Sequence, residues 1–172
     1  MTSRVAVYQI KRTFRAPLEF AYQWCIDYTP GDRKLQGEKG SRQILRKTSR
    51  GAVYEDLTPT PDGWQWSRQT VTFRPPNAWH AVAIGNYRTW NLEYSLRVVS
   101  NARTEFILRG KRRSTPLGVK NPSKAVLEKE LHTMWRKLGA SLERDYRNRR
   151  SQRSRRASPG PAALERKPVV PR

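Results

Sequence analysis

Residues 121–146, with the sequence NPSKAVLEKELHTMWRKLGASLERDY, decide the fold of this chain. Six apolar residues recur there at spacings of three and four, which places them on one face of an α-helix: Leu127, Leu131, Met134, Trp135, Leu138 and Leu142. Asn121 is a favourable capping residue and Pro122 suits the first helical turn, so one helix is predicted from Asn121 to Arg147. A helix of this length and pattern needs a broad apolar surface to cover.

The sequence before this helix predicts that surface. Seven segments are rich in β-branched and aromatic residues and are separated by short turns with Gly, Pro or Asn. These segments are Val5–Phe14, Gln43–Lys47, Ala52–Leu57, Trp64–Arg74, Trp79–Ile84, Thr89–Val98 and Thr104–Arg112. Short connections between successive strands favour a mainly antiparallel sheet. Every second residue from Trp90 to Val98 is apolar, which predicts one apolar face that requires a cover.

A short helix is predicted directly after the first strand. Pro17 interrupts the strand, and apolar residues then recur at helical spacing at Leu18, Ala21, Tyr22 and Cys25. A loop with glycines at 31, 37 and 40 follows, from Tyr28 to Gly40. These glycines lower the stiffness of the loop, so it is a candidate lid.

The order of these elements resembles that of the SRPBCC superfamily, the START-related and Bet v 1-like proteins, which include polyketide cyclases. FRAPLEFAY at 14–22 is similar to the passage of that family from its first strand through Ala-Pro into its first helix. WCIDY at 24–28 resembles the end of the same helix, and TEF at 104–106 resembles the start of the last strand. The resemblance implies an α+β helix-grip fold. In that fold a seven-stranded antiparallel sheet wraps around a long C-terminal helix, with short helices after the first strand.

The resemblance also implies that a hydrophobic small molecule, of the lipid, polyketide or isoprenoid class, binds between sheet and helix. It implies no catalytic residue, because the residues that act in this superfamily differ between its branches. All seventeen aromatic residues lie between Tyr8 and Tyr146, more than a small core needs, and rings suit an extended or aromatic ligand. The predicted ligand-binding residues are Tyr54, Trp66, Phe73, Trp79, Trp90, Tyr94, Phe106, Leu131, Met134, Trp135 and Leu138.

An enzyme of the cyclase, dehydratase or hydrolase type in the same space is one alternative. Glu55 and Asp56 are adjacent on one strand, so they point to opposite faces of the sheet. One of them, together with Glu93 or Glu105, would then enter the cavity and act as an acid or base.

Other chemistry is less well supported. Cys25 is the single cysteine and lies among large apolar residues, which is the pattern of a buried structural thiol. His80 and His132 are at no metal-ligand spacing with each other or with the cysteine, so neither a metal nor a cofactor is predicted.

The formal net charge of +21 favours contact with polyanions. A basic protein that associates with nucleic acid or an anionic membrane is therefore the first alternative, ahead of the enzyme. Residues 147–172 contain nine basic residues, one acidic residue, four prolines and no aromatic residue. This composition is typical of disorder. We therefore predict a helix-grip domain over residues 1–147 and a disordered basic tail over residues 148–172. The tail would contact RNA, DNA or anionic lipid weakly.

The sequence also indicates a compartment. No segment approaches the roughly 18 apolar residues of a transmembrane helix, and residues 1–14 lack the apolar block of a signal peptide. A lone cysteine fits a reducing environment, so the cytoplasm is the predicted location. No pattern indicates an oligomeric state.

Overall fold

A computed structural model of the protein describes residues 5–61, 63–116 and 121–157. These residues form seven β-strands and three α-helices. In chain order the elements are β1 (Val5–Phe14), α1 (Leu18–Ile26), α2 (Asp32–Gln36), β2 (Ser41–Thr48), β3 (Gly51–Thr60), β4 (Gly63–Arg74), β5 (Ala78–Gly85), β6 (Arg88–Ser100), β7 (Arg103–Ser114) and α3 (Lys124–Ala157). The predicted α+β fold with short helices after the first strand is confirmed.

The seven strands form one antiparallel sheet in the order β1-β7-β6-β5-β4-β3-β2. Strands β2 to β6 each pair with the next strand along the chain, as the short connections predict. Strand β1 closes the other edge by pairing with β7, where Val5 lies opposite Arg113 and Phe14 lies opposite Thr104. The segment with α1 and α2 therefore carries the chain across the sheet from the β1 edge to the β2 edge.

Helix α3 covers the concave face and packs along β1. Its buried apolar residues are Leu127, Trp135, Leu138 and Leu142. Gly139 allows the helix to approach β1 closely, because an added Cβ atom would lie 2.7 Å from Nε of Arg12 and 3.0 Å from Cε1 of Phe14. The indole Nε1 of Trp24 donates a hydrogen bond of 3.0 Å to Oδ2 of Asp145, which joins α1 to α3.

Both ends of α3 differ from the prediction. The helix begins at Lys124 rather than Asn121, because Ser123 is the cap and its Oγ accepts a hydrogen bond from the amide of Val126. The helix ends at Ala157, ten residues beyond the predicted domain boundary at Arg147. Residues 148–157 contain Arg, Gln and Ser but no Gly or Pro, so nothing in them terminates a helix. Residues 158–172 of the predicted tail lie outside the described residues.

Val98 is the exception to the predicted alternation in β6. Leu96 is buried as expected, but Val98 is 62% exposed. Val98 lies next to a register irregularity in the β6–β7 pairing, where the strict alternation of faces is interrupted. Among the described residues, no helix is both long and apolar enough to span a membrane.

Candidate ligand-binding site

A cavity of about 520 Å³ lies between the concave face of the sheet and the three helices. Eight of the eleven predicted ligand-binding residues line it: Tyr54, Trp79, Trp90, Tyr94, Leu131, Met134, Trp135 and Leu138. Trp79 and Tyr94 are stacked at a centroid distance of 4.8 Å and an interplanar angle of 6°. Trp135 of α3 reaches the same group, with its ring 6.2 Å from that of Tyr94. Sheet and helix therefore touch at Trp135, and the cavity extends from there beneath the first half of α3.

The other three predicted residues do not line this cavity. Phe106 is fully buried in the core, with its ring centroid 4.0 Å from that of Trp135. Phe73 is also buried and stacks at 6.3 Å on Tyr28. Trp66 lies on the opposite face of the sheet, where the guanidinium of Arg68 is 5.9 Å from its ring. Trp66 was included because an aromatic residue in a strand does not by itself reveal which face it occupies. Phe73 and Phe106 do face inward, but they are packed in the core.

Strand β4 shows most clearly why Trp66 was assigned to the wrong face. Its inward residues at the cavity are polar: Gln65, Ser67 and Gln69. The two tryptophans of the same strand, Trp64 and Trp66, take the alternate positions. A strand normally turns its largest apolar residues toward the core. Here the cavity, rather than the core, occupies that side.

A buried ion network borders the cavity at α2. Nε and Nη2 of Arg42 donate hydrogen bonds of 2.7 and 2.8 Å to the two carboxylate oxygens of Asp56, and Nη1 donates to Asp32 at 3.0 Å. Arg33 of α2 forms ion pairs of 2.8 Å with Glu38 and 3.6 Å with Asp56. Burial alone would lower the pKa of Arg42, but its hydrogen bond to Asp56 and the nearby carboxylates raise it above its usual value. We call these five residues the Arg42 network.

The Arg42 network fixes the segment that the sequence marks as a candidate lid. Asp32 also accepts hydrogen bonds from the amide and hydroxyl of Thr29, at 3.0 and 2.6 Å. The guanidinium of Arg42 lies 4.1 Å from the ring centroid of Tyr54, whose hydroxyl donates to Gln69 at 2.7 Å. Helix α2 is therefore tied to β2 and β3 by charged hydrogen bonds, despite its flanking glycines.

A second polar group lines the cavity at the β6–β7 side: Tyr8, Arg88, Arg112 and Glu130. Arg112 is only 7% exposed, and within the described part of the chain its Nε has no hydrogen-bond partner. Burial, and then the charge of Arg88, lower the pKa of Arg112 to about 10. Burial also lowers the pKa of Arg88. The ring of Tyr8 lies over Gly110, where an added Cβ atom would be 2.4 Å from it.

Of the two polar groups, sequence reasoning identified only Asp56, as a candidate acid, although strand alternation also contains a signal for the arginines of the second group. Arg88 has the same parity as Trp90, Leu92, Tyr94 and Leu96, and Arg112 has the same parity as Leu108. Residues of one parity share a face of a strand, so both arginines fall on the concave face by that count.

The candidate acids are mostly distant from the cavity. Glu55 pairs with Arg68 at 2.7 Å on the other face, Glu93 is exposed beside Arg74, and Glu105 pairs with Arg97. Asp56 alone of the four lines the cavity, and both of its oxygens accept hydrogen bonds from Arg42. The carboxylate of Asp56 is therefore already hydrogen-bonded to the guanidinium of Arg42.

Of the cysteine and the two histidines, only Cys25 lines the cavity. Cys25 lines one edge of the cavity, and burial raises the pKa of its thiol well above the usual value, which opposes thiolate formation. His80 contacts Asn91 at 3.0 Å, and His132 is exposed on α3.

Several solved structures are similar to this chain, whereas no protein-family model and no curated protein sequence matches it. The di-domain ARO/CYC StfQ of the steffimycin biosynthetic pathway has a TM-score of 0.61 and 16% identity over 82% of this chain and 46% of its own. This chain thus spans about half the length of StfQ.

Two single-domain structures match over nearly their whole length. The Zhui aromatase/cyclase from Streptomyces sp. R1128 has a TM-score of 0.56 and 12% identity, over 89% of this chain and 98% of its own. A START superfamily protein from Mycobacterium smegmatis has a TM-score of 0.62 and 11% identity, over 83% of this chain and 97% of its own. With the seven-stranded sheet and the long C-terminal helix, these likenesses show that the chain has the SRPBCC fold, the helix-grip fold of START and Bet v 1-like proteins.

Proposed function

We propose that the protein binds or carries a small molecule with a hydrophobic, ring-containing body and polar substituents, such as a polyketide, isoprenoid or other lipid. The observation that carries the proposal is the cavity of about 520 Å³ between sheet and α3. This volume falls within the range of about 300–1,000 Å³ that is typical of ligand pockets. Trp79, Tyr94 and Trp135 form an aromatic wall on one side, and the two polar groups form the ends.

The polar residues favour binding over catalysis. The carboxylate of Asp56 is held by Arg42, and a general base needs free access to the proton that it removes. Arg88 and Arg112 line the other end, and guanidinium groups stay protonated near neutral pH. Fixed donors of this kind orient a ligand and do not exchange protons with it.

A ligand in the cavity should stabilise the protein, and a bulky side chain in the cavity should exclude the ligand. Pyrenebutanol, which is uncharged, is expected to quench tryptophan emission and to raise the melting temperature, because a ligand that prefers the native state stabilises it. Leu131 lines the cavity, so Leu131→Trp is expected to fill it, abolish pyrenebutanol binding and leave stability unchanged or higher. Fluorescence titration and thermal unfolding measure both effects.

Val126→Trp is the matched control, since Val126 is on the same helix but is exposed. This variant is expected to bind pyrenebutanol as the unaltered protein does. The proposal would be contradicted if the unaltered protein did not bind pyrenebutanol and if Leu131→Trp also lowered the free energy of unfolding by about 1–3 kcal/mol. A loss of that size is typical of overpacking. The interior would then be a filled core.

Contact of the basic residues with RNA, DNA or anionic lipid remains a separate prediction. Arg144, Arg147 and Arg149 are exposed on the last turns of α3, and they add positive charge to that end of the molecule. Such contact would be compatible with ligand binding, because these residues lie outside the cavity.

A further inference from the structure

We propose that the ligand is an organic anion whose carboxylate binds between the guanidinium groups of Arg88 and Arg112. This inference rests on the proposed function and adds the class of ligand. It follows from the position of the two arginines, from the absence of an ion pair to either of them within the described ranges and from the neighbouring donor of Tyr8.

The two arginines are built into one face of adjacent strands. In the β6–β7 pairing, Arg88 lies opposite Ser114 and Trp90 lies opposite Arg112. Arg88 and Arg112 are therefore diagonal neighbours, about 7–8 Å apart at the backbone in such a pairing, and both line the cavity. A carboxylate has two oxygens, so it can accept hydrogen bonds from both groups.

Arg33 and Arg42, in the Arg42 network, are buried arginines whose charges are compensated by neighbouring carboxylates. Arg33 and Arg42 share ion pairs with Asp32, Glu38 and Asp56. Within the described ranges, by contrast, neither Arg88 nor Arg112 is in an ion pair, and the buried Nε of Arg112 has no partner.

Two neighbouring cations that no acidic side chain pairs directly are unfavourable in a partly dry site. Burial is costly for the charged form of a group, and like charges add to that cost. Both effects act on Arg112, as its lowered pKa shows. A bound carboxylate would supply a directly paired charge and an acceptor for Nε of Arg112. This is the reason to expect an anion rather than a neutral polar group.

Tyr8 adds a third donor at the same place. Its ring lies over Gly110 and lines the cavity beside Arg112. Burial raises the pKa of Tyr8 to about 12, with the charge of Arg112 opposing the rise. The group is therefore a neutral phenol near pH 7 and can donate its proton to a carboxylate oxygen.

The nearest acidic residue on α3 is Glu130, which also lines the cavity. Its charge acts on both Arg88 and Arg112, and that of Glu38 acts more weakly on Arg88. Glu130 is exposed, so water screens much of its effect. A bound carboxylate would be repelled by Glu130, and removal of this charge should strengthen binding.

The test compares two probes with the same aromatic body, pyrenebutanoic acid and pyrenebutanol. We expect the acid to bind about 10- to 100-fold more tightly, the range expected for hydrogen bonds between charged groups. Arg112→Met should abolish this preference while still binding pyrenebutanol, and it should not lower the melting temperature. Glu130→Gln should raise the affinity for the acid by about threefold, since it removes one partly screened charge.

Arg109→Met is the matched control, because Arg109 is on the same strand but exposed and hydrogen-bonded to Gln9. It should retain the full preference for the acid. Equal affinity for both probes, or an equal loss of preference in Arg109→Met and Arg112→Met, would overturn the anion site while leaving the cavity intact. Failure of both probes to bind would overturn the proposed function itself, and this inference with it.

Discussion

Phe106→Ala is expected to lower the free energy of unfolding by about 3–5 kcal/mol, the usual cost of removing a large aromatic side chain from a core. Phe106 is 0% exposed and its ring lies 4.0 Å from Trp135 and 5.5 Å from Phe14. It therefore joins α3 to β1 and β7. Urea denaturation of the variant and the unaltered protein measures the change.

Trp90→Ala is the comparison for this prediction. Trp90 is also aromatic and faces inward, but it borders the cavity and is only half-buried. We expect a clearly smaller loss of stability and a weaker affinity for a pyrene probe. A loss below about 0.5 kcal/mol in Phe106→Ala, as at exposed sites, would show that Phe106 is not part of the core.

Asp56→Ala is also expected to cost about 3–5 kcal/mol, because it leaves buried cations without their partner. Asp56 is 5% exposed and accepts two hydrogen bonds from Arg42, and Arg33 lies 3.6 Å from it. Both arginines would remain buried with fewer carboxylates to compensate them. Helix α2 should also exchange its amide hydrogens faster, since the Arg42 network ties it to the sheet. Urea denaturation and hydrogen exchange test the two effects.

The adjacent residue provides the control. Glu55 is on the same strand but pairs with Arg68 on the opposite face, where the Arg68 side chain is 49% exposed. Exposed pairs contribute about 0–1 kcal/mol, so Glu55→Ala should have little effect. Equal losses in the two variants would mean that the Arg42 network has no special part in stability.

Much of the fold could be predicted because it depends on periodicity. The apolar stripe of α3 has the helical period, and Leu127, Leu138 and Leu142 are all buried as that stripe requires. The strands alternate, and their short connections leave few topologies for a sheet. The ends of α3 were harder to predict, since Ser123 and Asn121 are both good caps and only the backbone geometry selects one of them.

The site was predicted only in part, and the reason is physical. A cavity wall does not follow the rule that large apolar residues face inward, so Gln65, Ser67 and Gln69 face it while Trp66 does not. The cavity arginines are among 35 basic residues, and composition cannot separate buried cations from exposed ones. Whether an arginine is buried at the cavity depends on which face of its strand it occupies and on tertiary partners such as Asp56.

A ligand bound between the sheet and α3 would lie beside Met134, so this residue tests the proposed binding site directly. Met134 lines the cavity and is one of two methionines, the other being Met1, which lies outside the described residues. In a sample with ¹³C-labelled methionine methyl groups, we expect pyrenebutanol to shift the Met134 signal, because the ring current of the probe acts on a methyl group in contact with it. Binding of the probe by fluorescence with an unchanged Met134 signal would place the ligand elsewhere and contradict the account.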